Sequence, residues 1–206
     1  MKNYEFTPAQ DWTHVFDKIF KIVNVEKILE FGLGLGTEFL CDNCKNVTSV
    51  ELSIGNYNKE WTELVQEKLK NYNNWTLHYI DLPDDIKQAN QNAIDYKYPL
   101  VELNYLNSLS EIVGEHLIGN YYDIIFIDPG IHNRGDIINF CFGKSPIIAA
   151  HDTSKSGIII ENIYGYNIVN VPENYEEVHF DGGLGTTLWV NKDYEFYNLI
   201  VENLKK

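Results

Sequence analysis

The chain has 206 residues, of which 44% are hydrophobic and 14% aromatic, as expected for a globular protein with a sizeable core. Its 30 acidic residues outnumber 16 basic ones, giving a net charge of -14. A surface of this sign repels phosphate backbones, so we expect no nucleic-acid substrate. Three cysteines, and no signal segment or apolar run long enough to cross a bilayer, predict a cytoplasmic protein without a disulfide framework or membrane contact.

The first elements predict a nucleoside-binding unit. Apolar residues recur at helical spacing from Thr7-Pro8 to Val23, which predicts a helix. An apolar strand over 27–31 then meets a glycine-rich turn, a helix follows, and a second strand ends at Glu51. This order is typical of a βαβ unit whose glycines let a ligand approach the backbone and whose acid accepts ribose hydroxyls.

The glycine spacing discriminates between nucleoside cofactors. A dinucleotide fingerprint needs a third small residue at Thr37 or Phe39, and neither is Gly or Ala. The pattern acid-x-Gly-x-Gly-x-Gly over 30–36 resembles the first motif of the class I S-adenosylmethionine (SAM) methyltransferases. This resemblance covers nearly the whole chain and implies a single domain over 1–206. The implied fold is α/β, a Rossmann-like doubly wound sheet, mostly parallel, with a C-terminal antiparallel hairpin.

The remaining pattern agrees with that fold. We predict helices over 58–69, 109–118, 134–142 and 194–204, and strands over 76–81, 122–128, 146–152, 177–180 and 186–190. The polar, Asn-rich segment from Asp84 to Asn107 is either part of a substrate wall or a solvated insertion. Cys41 and Cys44 form a C-x-x-C with no second pair, which favours buried packing over a metal site.

The resemblance also implies the cofactor residues. SAM would be bordered at its methionine part by Glu30, Gly32, Gly34 and Gly36, held at the ribose by Glu51, and met at the adenine by Asp81 and Leu82. For Asp81 a turn or capping role stays open.

Two further strands end in residues that suit the chemical step. Asp128 follows one buried strand and His151-Asp152 follows the next, so their side chains should converge at the carboxyl edge of the sheet. This layout suits a divalent cation such as magnesium, with Asp128, His151 and Asp152 as ligands. It resembles the metal-dependent O-methyltransferases of the catechol and sugar-modifying kinds. The match is partial, because these enzymes carry an acidic or amide pair after the fifth strand, whereas this chain has His151-Asp152. A shift of one residue in the strand would make Thr153, instead of His151, the partner of Asp152.

The reaction we predict is O-methylation of a small-molecule or sugar acceptor by direct displacement at the sulfonium methyl. With a metal, the ion would hold the acceptor oxygen beside Asp128; without one, His151 or His132 would act as general base. An alternative is a SAM-binding module that acts through a partner without turnover. A DNA amino-methyltransferase is a weaker alternative, because Asp128-Pro129-Gly130-Ile131 has no aromatic residue to stack on a base. The acceptor and the oligomeric state stay open.

Overall fold

The structure is a computed structural model that describes residues 11–53, 56–85, 87–88, 114, 120–130, 134–154 and 164–205. Several expectations lie outside these residues: the helix start at Thr7-Pro8, His132, most of the 84–107 segment and all but one residue of the 109–118 helix.

Five helices and seven strands are found in the described residues. The helices are α1 (Trp12–Phe20), α2 (Thr37–Asn43), α3 (Asn56–Leu69), α4 (Arg134–Cys141) and α5 (Tyr197–Leu204). The strands are β1 (Lys27–Phe31), β2 (Asn46–Ser53), β3 (Trp75–Asp81), β4 (Ile124–Ile127), β5 (Ile147–His151), β6 (Tyr175–Phe180) and β7 (Thr186–Asn191). A short 3-10 turn covers Tyr166–Ile168.

The strands form one sheet in the order β3-β2-β1-β4-β5-β7-β6. The first five are parallel, and β7 runs antiparallel to both β5 and β6. This confirms the predicted fold class, including the C-terminal hairpin. The order reverses direction at β1, so the carboxyl ends of β1, β2 and β4 border the crevice where open α/β sheets bind ligands.

Apolar side chains cover both faces of the sheet, as the nearly continuous apolar strands require. On one face, α1, α2 and α5 pack through Phe16, Leu40 and Ile200 against a fully buried layer that includes Ile28 and Ile124. On the other face, α4 packs against alternate residues of the same strands. Burial of each such side chain stabilises the fold by about 1.5–3 kcal/mol.

Several element boundaries differ from the sequence prediction, among them the end of β2 and the start of α5. Strand β2 continues two residues past Glu51, because Leu52 and Ser53 pair with Ile80 and Asp81 of β3. Helix α5 begins at Tyr197 rather than Tyr194, since the chain turns first through a hydrogen bond from Tyr194 N–H to the Asn191 carbonyl. Within the described part of the chain, every helix is too short or too polar to cross a membrane.

Candidate active site

The glycine turn lies at the carboxyl end of β1, directly beside Glu51. The Gly32 N–H donates to the carbonyl of Val50 at 2.9 Å, which fixes the turn next to the following residue of β2. Glu51 is 2% exposed and projects from the same face of β2 as Ser49 and Ser53. The structure therefore brings together the turn and the carboxylate that the sequence assigns to one nucleoside.

Glycine occupies each of the three positions of the turn in a different environment. Gly32 has a φ of +99°, and a Cβ there would lie 2.3 Å from the carbonyl oxygen of Asp128. A Cβ on Gly36 would lie 2.4 Å from the Trp12 ring, so this glycine lets α1 pack closely against the turn. A Cβ on Gly34 would meet only a backbone nitrogen at 3.9 Å. Of the three, Gly34 alone therefore leaves space over its backbone that no described residue fills.

Side chains from behind the turn hold it in place. Trp61 of α3 donates its Nε1–H to the Leu33 carbonyl at 2.6 Å. The Gly34 N–H donates to Thr37 Oγ1 at 3.2 Å, and that hydroxyl donates to the Glu30 carboxyl at 3.0 Å. Ser49 also donates to Glu30, at 2.6 Å. The turn is thus fixed before any ligand arrives.

Glu30 supports the turn from inside the core. It is 3% exposed, and burial raises its pKa to about 8, although the hydrogen bonds from Ser49 and Thr37 act in the opposite direction. Through its hydrogen bond with Thr37, Glu30 helps to position the turn.

The two residues predicted to meet the adenine differ in environment. Asp81 pairs in register with Ser53, two residues past Glu51, and its exposed carboxylate forms an ion pair with Lys87 at 2.9 Å. Leu82 is 2% exposed and packs in the core cluster under β2. Leu82 N–H donates to the Ser53 carbonyl, which fixes the chain at the edge of the crevice.

The ends of β4 and β5 converge as predicted. One ligand atom from each of Asp128, His151 and Asp152 lies within 4.8 Å of the others. His151 Nδ1 lies 3.4 Å from Asp128 Oδ2 and 3.4 Å from Asp152 Oδ1. Thr153 is held elsewhere, because its Oγ1 accepts a hydrogen bond from Thr187. The partner of Asp152 is therefore His151, as first expected.

The backbone at Asp152 is in an uncommon conformation. Its φ is +57°, and it is the one non-glycine residue with positive φ in the described part of the chain. Such a conformation costs an ordinary L-residue about 1–2 kcal/mol and is tolerated best by Asn and Asp. It turns the carboxylate back toward the end of β4.

Arg134, the first residue of α4, lies between the two carboxylates and was missed by the sequence analysis. Its side chain is 4% exposed, and Nη1 donates to Asp128 Oδ1 at 2.9 Å and to Asp152 Oδ2 at 3.1 Å. It also donates to the His151 carbonyl at 3.2 Å. One signal could have pointed to it: Arg134 is the only arginine in the sequence.

Asp11, the N-cap of α1, is the second missed residue. Its Oδ1 lies 2.6 Å from His151 Nε2, and its Oδ2 accepts the Leu184 N–H at 2.9 Å. Gly183, with a φ of +59°, makes this possible, because a Cβ there would lie 2.2 Å from Asp11 Oδ2. One carboxylate therefore joins α1, the end of β5 and the β6–β7 turn, and no local pattern links positions 140 residues apart.

The charges of this cluster act on one another. Burial lowers the pKa of His151, but the hydrogen bond and charge of Asp128, with the charges of Asp152 and Asp11, outweigh it and raise the pKa above its usual value. Burial raises the pKa of Asp152, against the opposing effect of Arg134. Asp128 is the most accessible of the three, with 28% of its side chain exposed, compared with 15% for Asp152 and 3% for His151.

Asp128, His151 and Asp152 lie close enough together to hold a divalent ion, and Arg134 shares the same carboxylates. One oxygen of each carboxylate is bonded to Arg134, and the other oxygens face His151 Nδ1. An ion bound to these oxygens would lie next to a buried guanidinium, where repulsion between cations is weakly screened. The convergence of Asp128, His151 and Asp152 is as predicted, but Arg134 already supplies the cation.

A cavity opens on the side of β5 that faces β7. Its volume is about 190 Å³, and it is lined by the hydroxyl residues Thr153, Ser154 and Thr187, together with Glu177 and Trp189. Tyr166 lines it too and donates its hydroxyl to the His151 carbonyl. The cavity thus adjoins the Asp128–His151–Asp152 cluster through Tyr166.

The cysteines take no part in the site. Cys41, Cys44 and Cys141 are free and buried, and burial raises the pKa of all three thiols. All three lie in the core clusters as packing residues.

Comparison with solved structures identifies the fold. An O-methyltransferase from Bacillus cereus in complex with SAH is 14% identical, with a TM-score of 0.55 over 92% of this chain and 84% of that chain. An O-methyltransferase from Streptomyces achromogenes involved in tomaymycin synthesis, in complex with SAM, is 13% identical, with a TM-score of 0.52 over 91% and 81%. A methyltransferase from Geobacter sulfurreducens is 11% identical, with a TM-score of 0.55 over 90% and 80%.

The chain has the methyltransferase fold. At identities this low the comparison shows the fold and not the reaction. No protein-family model and no curated protein matches the sequence.

Proposed function

We propose that the protein is a SAM-dependent methyltransferase that methylates an oxygen of a small molecule or sugar. The observation that carries this proposal is the glycine turn fixed beside Glu51 by the bond from Gly32 to Val50. Gly34 leaves the space that a ligand backbone contact requires, and Glu51 supplies a carboxylate for two ribose hydroxyls. The relatives crystallised with SAH and SAM have the same fold and support this choice of cofactor.

The bound cofactor would supply a methyl group on a positively charged sulfur. Displacement would form a bond between the acceptor oxygen and the methyl carbon, while the sulfur–carbon bond would break and leave its electron pair on sulfur. The acceptor hydroxyl would lose its proton before or during this displacement. Asp128 is the accessible base at the end of β4, and His151 lies behind it. Asp128 would receive the proton, and Gly32 places the turn against Asp128.

The cavity beside the cluster supports the proposed acceptor class. Hydroxyl groups of Thr153, Ser154 and Thr187 and the carboxylate of Glu177 surround it, and the Trp189 ring forms part of its wall. Such a mixture of hydrogen-bonding groups and an aromatic surface suits a small polyhydroxylated acceptor. The strongly acidic chain, with a net charge of -14, is a poor partner for nucleic acid.

The experiment is transfer of a labelled methyl group from SAM to a panel of catechols and sugars, with SAH formation as a second readout. We expect transfer to at least one acceptor and its loss in Asp128→Asn. SAM binding without transfer to any acceptor would instead favour a binding module. Absence of SAM binding would reject both.

A further inference from the structure

The guanidinium of Arg134 is held as a fixed charge at the centre of the site. Besides its bonds to Asp128 and Asp152, it lies over the Tyr164 ring at 3.9 Å from the ring centroid, a cation–π contact. The Tyr166 hydroxyl lies 3.5 Å from Nη1. With 4% of its side chain exposed, Arg134 cannot swing into solvent without opening the start of α4.

A guanidinium carries its positive charge throughout the ordinary pH range. A guanidinium that bridges two carboxylates does geometrically what a divalent ion would do: it holds both oxygens on one side and cancels their repulsion.

We propose that Arg134 replaces a divalent ion in this site, so that it positions Asp128 and Asp152 and the protein works without a metal. The inference about the reaction rests on the proposed function. The inference about metal binding stands on the contacts of Arg134 alone. Arg134 is a positioning residue here, because it acts through the two carboxylates.

The test is titration of the whole protein with manganese(II), followed by calorimetry and by the electron paramagnetic resonance signal of the free ion. We expect no saturable site in the wild type. In Arg134→Gln, the two released carboxylates and His151 should form a saturable manganese site, at least tenfold tighter than any residual binding by the wild type. Adding Asp152→Asn to that variant should remove the gain, and Arg134→Lys, which keeps a cation, should not show it.

Stoichiometric manganese binding by the wild type that Asp128→Asn or Asp152→Asn abolishes would overturn the proposal. So would a folded Arg134→Gln that binds no more ion than the wild type. If Arg134→Gln does not fold, the wild-type titration decides by itself. Loss of methyl transfer on adding a chelator would contradict the proposal too, whereas failure to bind SAM would count against the proposed function instead.

Discussion

Asp11 Oδ1 and His151 Nε2 lie 2.6 Å apart, although α1 and β5 are far apart along the chain. The contact leaves His151 Nδ1 facing Asp128 and Asp152. A carboxylate that orients a histidine ring in this way fixes which nitrogen faces the reacting groups. We therefore assign Asp11 to the site as a positioning residue.

Asp11→Asn should separate this orienting role from the capping of α1, since Asn caps a helix as well as Asp does. The raised pKa of His151 means that its ion pairs stabilise the fold fully below about pH 6.5 and less as the pH rises through the folded value. The facing charges are Asp11, Asp128, Asp152 and Arg134.

The loss in unfolding free energy for Asp11→Asn should therefore be about 1.5–3 kcal/mol near pH 6 and smaller at pH 9, measured by urea denaturation. Asp17→Asn, an exposed change on the same helix, is the control and should show no such pH dependence. A loss that stays constant from pH 6 to pH 9 would mean that Asp11 does not interact with a charged His151.

Gly34→Ala and Gly36→Ala form a matched pair within one turn. A methyl group at Gly36 meets the Trp12 ring, so this variant should lose about 1–3 kcal/mol of stability, and Trp12→Leu in the same chain should restore part of it. A methyl group at Gly34 meets open space, so the fold should keep its melting temperature while SAM binds at least tenfold more weakly. Thermal melting measures the change in stability, and calorimetry measures the change in SAM affinity. Equal effects of the two variants on SAM affinity would count against the separate roles.

Glu30→Gln should change how stability depends on pH. In the wild type, Glu30 has a raised pKa of about 8 in the folded state, compared with 4.5 ordinarily. The contribution of Glu30 to the free energy of unfolding is therefore fully present below pH 4.5 and is lost as the pH rises through 8. Gln carries no proton to lose, so the variant should gain relative to the wild type between pH 5 and pH 8. The gain has an upper bound of about 1.4 kcal/mol per pH unit.

Urea denaturation at pH 5, 6.5 and 8 measures this difference. Glu67→Gln, in which an exposed acid of α3 is changed, should follow the wild type at each pH. A Glu30→Gln variant that follows the wild type as closely would show that Glu30 ionises normally in the core.

Two substitutions of Asp152 test both the cost of its positive φ and the role of its carboxylate in the cluster. Asp152→Asn keeps a residue that tolerates positive φ, whereas Asp152→Ala does not and should be about 1–2 kcal/mol less stable than the Asn variant. Both should bind SAM with nearly wild-type affinity and transfer methyl groups at least ~100-fold more slowly. A large loss of SAM affinity would move Asp152 into the cofactor half of the site.

The sequence predicted the parts of the fold that depend on local pattern. The strand before Gly32, the buried strand before Asp128 and the hairpin partner starting at Thr186 each follow from apolar periodicity and turn residues. Convergence of Asp128 with His151 followed from the rule that parallel strands end at one edge. What the pattern could not give was the reason for Gly36, which depends on where α1 packs.

Asp11 and Arg134 escaped prediction for a related reason. The local sequence around Asp11 indicates a helix cap, and Asp11 does cap α1. The local sequence around Arg134 indicates only a charged residue at the start of a helix. Their roles arise from tertiary contacts with His151 and Asp152, which no spacing within either segment encodes. His132 remains a prediction, since it lies outside the described residues.

The most direct test of the central claim is calorimetric titration of SAH, the product form of the cofactor, into the wild type, Glu51→Ala and Asp81→Ala. We predict one saturable site in the wild type, its loss or a weakening of at least ~100-fold in Glu51→Ala, and a smaller change in Asp81→Ala, whose side chain is exposed. Absence of binding in the wild type, or unchanged affinity in a folded Glu51→Ala, would contradict the claim that the glycine turn and Glu51 form a SAM site.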